Sequence, residues 1–159
     1  MPLNWVLAVI LLWLGIGIAG TVVARNLPVV AKGLFPLGAV GALVMAAAGF
    51  DATLGPPESL VLPLGLPELP FHLCIDALSG FFLLLLGVVS AGVSIFAAGY
   101  LRPDEGSAPG LQCLYYHVFL ASMALVLIAN DAYGFMVFWE TMALSSYFLV
   151  VSDHGKEEI

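Results

Sequence analysis

Ala132-Tyr-Gly-Phe-Met-Val-Phe-Trp-Glu-Thr-Met-Ala-Leu-Ser-Ser-Tyr-Phe-Leu-Val-Val151 is an apolar run interrupted by a single charge, Glu140, close to its middle. A helix rising about 1.5 Å per residue would hold that carboxyl near the midplane of a bilayer. An ionised side chain there costs on the order of 3 kcal/mol on insertion scales, and binding a proton is the simplest relief. A carboxyl that gains and loses a proton inside a membrane is what a proton relay requires. The structural alternative is a permanently neutral Glu hydrogen-bonded to a neighbouring helix. The functional reading leads, because ionisable groups inside a membrane mark ion pathways by default.

The rest of the composition agrees with a membrane setting. Of 159 residues, 62% are hydrophobic and 9% charged, a balance that a water-soluble domain of this size could not carry on its surface. The expected fold is all-α: a polytopic membrane protein, one membrane domain of five transmembrane helices. The net charge of -7 lies almost wholly in the connections and the tail. Without a basic patch to neutralise phosphates, nucleic-acid binding is excluded. Cys74 and Cys113 fall at opposite faces of the expected bundle, too far apart for a disulfide, and no Cys/His cluster has metal-ligand spacing. No metal or cofactor is expected.

Taken from the N-terminus, the first span is expected at about 4–24. It lacks the preceding basic residues of a signal peptide and has too long an apolar core for one, so it is expected to stay in the mature protein. After Arg25, Asn26-Leu-Pro28 and Lys32, the second span is expected at about 33–50, with Gly38, Ala42 and Ala46 as a close-packing stripe. Residues 51–73 hold Pro56, Pro57, Pro63, Pro67 and Pro70, which rule out a helix there. Leu60-Val-Leu62 and Leu64-Gly-Leu66 suit short edge strands, so the Pro-rich loop is expected to be ordered, with a small β-hairpin as one form. A third span is expected at about 75–100, bearing a second small-residue stripe of Ser90, Ser94 and Ala98. After a turn-rich connection at 101–110, a fourth follows at about 112–129 and a fifth at 132–151. With alternating crossings, Arg25, Lys32, Arg102 and Lys156 all fall on one side, which places that side in the cytoplasm and the N-terminus and Pro-rich loop outside.

Other polar residues are candidates of lower rank. His117, in Leu114-Tyr-Tyr-His-Val118, suits a proton donor on the helix antiparallel to the fifth span, while an interfacial His in an aromatic belt is the plainer reading. Asp76 and Asp131 read as helix caps. Tyr133 and Tyr147 lie on the Glu140 side of their helix, where they could hydrogen-bond water near the carboxyl or simply pack. Thr141 and Ser145 are spaced as a helix-contact pair. His72 and His154 lie outside the spans.

Longer stretches carry a family signal. Phe71-His-Leu-Cys-Ile-Asp-Ala-Leu-Ser-Gly-Phe-Phe82, Gly99-Tyr100, Tyr116-His-Val-Phe-Leu-Ala-Ser-Met-Ala-Leu-Val-Leu-Ile-Ala-Asn-Asp131 and Phe138-Trp-Glu-Thr-Met-Ala-Leu-Ser-Ser-Tyr-Phe-Leu-Val150 resemble the antiporter-like membrane subunits. This family includes the large proton-pumping subunits of respiratory complex I and the Mrp-type antiporters. The wording is most similar to the hydrogenase-4 component B and formate hydrogenlyase branch. The likeness runs from about Pro70 to the C-terminus, and over the first two helices in pattern only.

The resemblance implies that Glu140 is a proton-channel residue paired with a Lys on a later, broken helix. It also implies partners among the membrane subunits of a hydrogenase or complex I-like assembly, protons or monovalent cations as cargo, and a bacterial-type cytoplasmic (inner) membrane. Family members have about fourteen or more helices, so the chain corresponds to an N-terminal portion. None of its four basic residues lies within a span. Two roles are open: part of a proton- or cation-translocating subunit completed by other helices, or a structural scaffold or truncated remnant without transport of its own. Redox catalysis by this chain is disfavoured, since no span carries haem-ligating His pairs or cluster-binding Cys.

Overall fold

The computed structural model describes residues 1–66, 69–100 and 108–152. The polar connection containing Arg102, and the tail with His154 and Lys156, lie outside the described residues, as does Glu68 of the Pro-rich loop. The elements are α1 (Pro2–Val22), the one-turn α2 (Leu27–Val29), a π-helical turn (Val30–Leu34), α3 (Phe35–Leu54), β1 (Glu58–Leu66), β2 (Leu69–Ile75), α4 (Ala77–Tyr100), α5 (Pro109–Ile128) and α6 (Ala132–Ser152).

Five segments are long and apolar enough to cross a membrane: Pro2–Val22, Leu27–Leu54, Ala77–Tyr100, Pro109–Ile128 and Ala132–Val151. The second begins six residues before the expected start at Gly33. Asn26 and Pro28, expected in the connection before the span, act instead as helix starters. The Asn26 carboxamide oxygen accepts the Val29 N–H at 3.4 Å, and Pro28 sits in the first turn, where a missing N–H leaves no bond unmade. Further in, Pro36 cannot donate to the carbonyl four residues back. The helix meets it with the π turn, in which Phe35 N–H reaches back to Val30 O.

The helices are not packed evenly. α3 lies along α4, α1 lies between α3 and α5, and α6 rests on the far side of α5, with only a loose contact between α4 and α5. The α3–α4 seam is closed by backbone approach: a methyl group on Gly87 would lie 2.5 Å from Ala46 N and 2.6 Å from Ala42 O. Trp13 fixes α1 to α3 by donating its indole N–H to Gly38 O at 3.2 Å in the buried core. The groove left between α4, α5 and α6 is lined by apolar side chains such as Phe82, Leu85, Val89, Met123 and Met142.

The Pro-rich loop is an antiparallel hairpin whose register runs from Glu58↔Ile75 to Leu66↔Leu69, with an irregularity between Leu62 and Gly65. That irregularity contains Pro63, where no ladder donor is required, and Gly65 supplies a φ of 114° that L side chains rarely adopt. The hairpin caps one end of the bundle. The Glu58 carboxylate accepts the Leu3 N–H at 3.1 Å at the start of α1, and β2 continues into α4 through Asp76. Its inward residues Leu73 and Ile75 are fully buried.

Candidate functional site

α6 positions Glu140. Its start is set by Asp131, whose Oδ1 accepts the Gly134 N–H at 2.6 Å. Gly134, Phe138 and Ser145 form its buried stripe, and the Ser145 hydroxyl is satisfied within the helix by Met142 O at 2.9 Å. At 100° per residue, Glu140 points about 200° away from Phe138, and it is exposed, as are Met136, Ala143, Leu144 and Tyr147. Its carboxylate has no hydrogen-bond or ion-pair partner among the described residues. Only 17% of the α6 span is buried, against 33–50% for the other four. The helix that carries the one mid-span charge is therefore the least covered of the five.

The structure does not gather the other candidates around Glu140. Tyr147 shares its face but contacts Phe148 edge-on, with ring centroids 5.6 Å apart. Tyr133 stacks on Phe71 of the hairpin at 5.6 Å and 21°. Thr141 turns its hydroxyl back to Val137 O at 2.8 Å.

His117 is enclosed by α3 and α5 rather than facing α6. α5 begins at Pro109 rather than near residue 112, so His117 lies more than two turns in and is 0% exposed. The interfacial aromatic-belt placement expected from the sequence is corrected accordingly. Its Nδ1 lies 2.8 Å from Cys113 O; a carbonyl only accepts, so Nδ1 carries the proton and donates. Nε2 is left as a buried acceptor with no partner among the described residues, directed at Gly38. Phe35 and Tyr116 flank the ring at 5.6 and 5.1 Å. Tyr116 hydrogen-bonds across to α4, donating to Ser90 O at 3.1 Å and sharing a 3.0 Å contact with the Ser94 hydroxyl.

Asp76 and Asp131 sit just outside the spans. Asp76 Oδ1 accepts both the Ser79 N–H at 2.8 Å and the Ser79 hydroxyl at 2.7 Å, and these bonds hold its pKa below the ordinary carboxylate value. Asp131 is held low chiefly by the Gly134 N–H, with the His72 N–H and imidazole adding to it. The pairing with His72, whose N–H donates to Asp131 Oδ2 at 2.8 Å and whose Nδ1 lies 4.0 Å away, had no sequence signal, since the two residues are 59 positions apart. Both cysteines are free thiols. Among the described residues, no group of three or more His, Cys, Asp or Glu could hold a metal ion.

No family model matches the chain. Hydrogenase-4 component B of Escherichia coli K12 is 33% identical over 84 residues, which are 53% of this chain and 12% of that protein. NADH-quinone oxidoreductase subunit L of Mycobacterium tuberculosis is 35% identical over 89 residues, 56% of this chain and 14% of that protein.

Over these stretches the chain is similar to antiporter-like membrane subunits. A putative antiporter subunit of Staphylococcus saprophyticus extends the same likeness, at 33% over 82 residues, 52% of this chain and 10% of the relative. The chain thus spans between 10% and 14% of the length of these three curated relatives. The chain is a multi-pass membrane protein.

Proposed function

We propose that the chain is part of a proton- or cation-translocating antiporter-like subunit in a multisubunit membrane assembly, with Glu140 as its proton carrier. One observation carries this reading: Glu140 is exposed in the middle of a membrane-spanning helix that is itself the least buried of the five. A carboxyl facing lipid there is costly in its ionised form, so α6 calls for a further membrane helix that offers Glu140 a hydrogen-bond donor or a cation. None of the basic residues in this chain lies within a described span apart from Lys32, in the π turn near the end opposite the hairpin. The covering group therefore comes from outside the described helices. The names of the relatives, a hydrogenase component, a quinone oxidoreductase subunit and an antiporter subunit, support this placement.

Tyr147 completes the exposed face beside Glu140 and is the first candidate to order water there; Tyr133, stacked on the hairpin, is the second. His117 holds a proton on Nδ1 in the bundle interior, separate from the Glu140 face, and would join a relay only through water passing α5. Redox chemistry belongs to partner subunits and the inner membrane of a bacterium is the proposed location.

The test is Glu140→Gln in the chain within its native assembly, assayed for proton movement in sealed membrane vesicles. The expected result is at least a tenfold loss of transport with assembly intact. Transport equal to the unsubstituted protein would remove Glu140 from the mechanism and leave the scaffold role as the better account.

A further inference from the structure

The hairpin and α6 meet at a compact set of contacts that the carrier role of Glu140 does not itself use. Backbone pairing comes first: Leu73 bridges Ala129, and Asn130 N–H donates to His72 O at 2.8 Å. The Asp131 carboxylate then serves two elements at once, with Oδ1 on the Gly134 N–H of α6 at 2.6 Å and Oδ2 on the His72 N–H of β2 at 2.8 Å. Phe71 adds a ring contact, packed against Tyr133 at 5.6 Å and Phe138 at 5.0 Å. Gly134 lets it approach: a methyl there would lie 3.2 Å from the Phe71 ring.

These contacts grip α6 at one end. Gly134 and Phe138 lie four residues apart on one stripe, and Glu140 points about 200° from Phe138 and about 240° from Gly134. Glu140 also lies nine residues beyond Asp131, about 13.5 Å along the axis. A slip of one residue at the clasp would move the carboxyl by about 1.5 Å and turn it by about 100°. Elsewhere the main helix contact of α6 among the described residues is with α5, which includes the Tyr115–Phe148 stack.

We infer that Phe71 and Asp131 are positioning residues, and that through them the hairpin sets the height and rotation at which α6 presents Glu140. The inference rests on the carrier role of Glu140 for its functional meaning, and its structural content can be measured separately.

The experiment uses the chain in its native assembly with Cys74→Ser, since Cys113 is fully buried. A nitroxide is placed at Ala143→Cys, on the exposed side of α6, and in a parallel sample at Gly92→Cys on α4, where nothing lies within 4 Å of an added Cβ. Phe71→Ala removes the ring. Asp131→Ser keeps a cap acceptor for Gly134 but is too short to hold His72 as well. Both variants should change the oxygen and aqueous-relaxant accessibility of the label at 143, leave the label at 92 unchanged, and shift the midpoint of the transport pH profile. Phe71→Leu should restore most of each change.

An unmoved label at 143 in both variants would overturn the inference, and so would equal shifts at 143 and 92, which would report general loosening. If the label at 143 alone moves while Glu140→Gln transports normally, the positioning of α6 stands and the carrier role of Glu140 fails.

Discussion

Gly87→Ala tests the seam on which the bundle is built. The added methyl would lie 2.5 Å from Ala46 N, 2.6 Å from Ala42 O and 2.8 Å from Ala46 Cα. All three atoms are backbone, so no side chain can swing aside. Restoring ordinary contact at about 3.5 Å means separating α3 from α4 by close to 1 Å along their tightest line. Overpacking of this kind costs about 1–3 kcal/mol. Gly92→Ala is the matched control, on the same helix with nothing within 4 Å of the new methyl. It should be neutral or slightly stabilising, through helix propensity of up to about 1 kcal/mol. The assay is a dodecyl sulfate unfolding titration of the purified protein in mild detergent, read by circular dichroism. Gly87→Ala should unfold at a clearly lower detergent fraction than Gly92→Ala. Coincident midpoints for the two variants would refute the claim that α3 and α4 meet backbone to backbone.

Three further outcomes are expected. Gly38→Ala, whose methyl would run into His117 Nε2, should destabilise the bundle by about 1–3 kcal/mol. His117→Ala in the same chain should cancel most of that loss, and a double-mutant cycle measures the coupling. Asp76 and Asp131 both have pKa values lowered by folding. Their contribution is therefore present above the unfolded carboxylate value of about 3.9 and is lost as pH falls through the lower folded values. Wild-type stability should drop on the acid side of pH 4 more steeply than that of an Asp76→Asn, Asp131→Asn variant, as acid titrations followed by tryptophan fluorescence would report. Asp131→Ala should shorten or fray the first turn of α6 and cost about 1 kcal/mol, in line with loss of a helix cap, and hydrogen exchange at Gly134 is the direct readout.

The five spans and the ordered Pro-rich loop were legible in the sequence because each rests on a local cause. Long apolar runs leave few alternatives to membrane helices, and the five prolines between 56 and 70 forbid a helix there. The illegible features depend on contacts between distant residues or on how the chain continues past a breaker. Asn26 and Pro28 can end a helix or begin one, and here a π turn before Pro36 lets the helix run from Leu27 to Leu54.

The depth of His117 is set by where α5 starts, and Pro109, late in a polar connection, gave no clear boundary. The candidate site divides in the same way. Glu140 stood out from composition alone, as the one charge in an apolar run. The direction in which it points depends on which face of α6 the hairpin and α5 occupy, and the pairing of His72 with Asp131 spans 59 positions of sequence.

Central to the proposed function is that Glu140 binds and releases a proton as the assembly works. The most direct measurement is infrared difference spectroscopy of the intact assembly in membranes under turnover, with Glu140→Gln as reference. The account predicts a protonated-carboxyl carbonyl band that appears and disappears with turnover, shifts in deuterium oxide, and is missing in Glu140→Gln. A turnover spectrum with the same carboxyl bands in both proteins would contradict it.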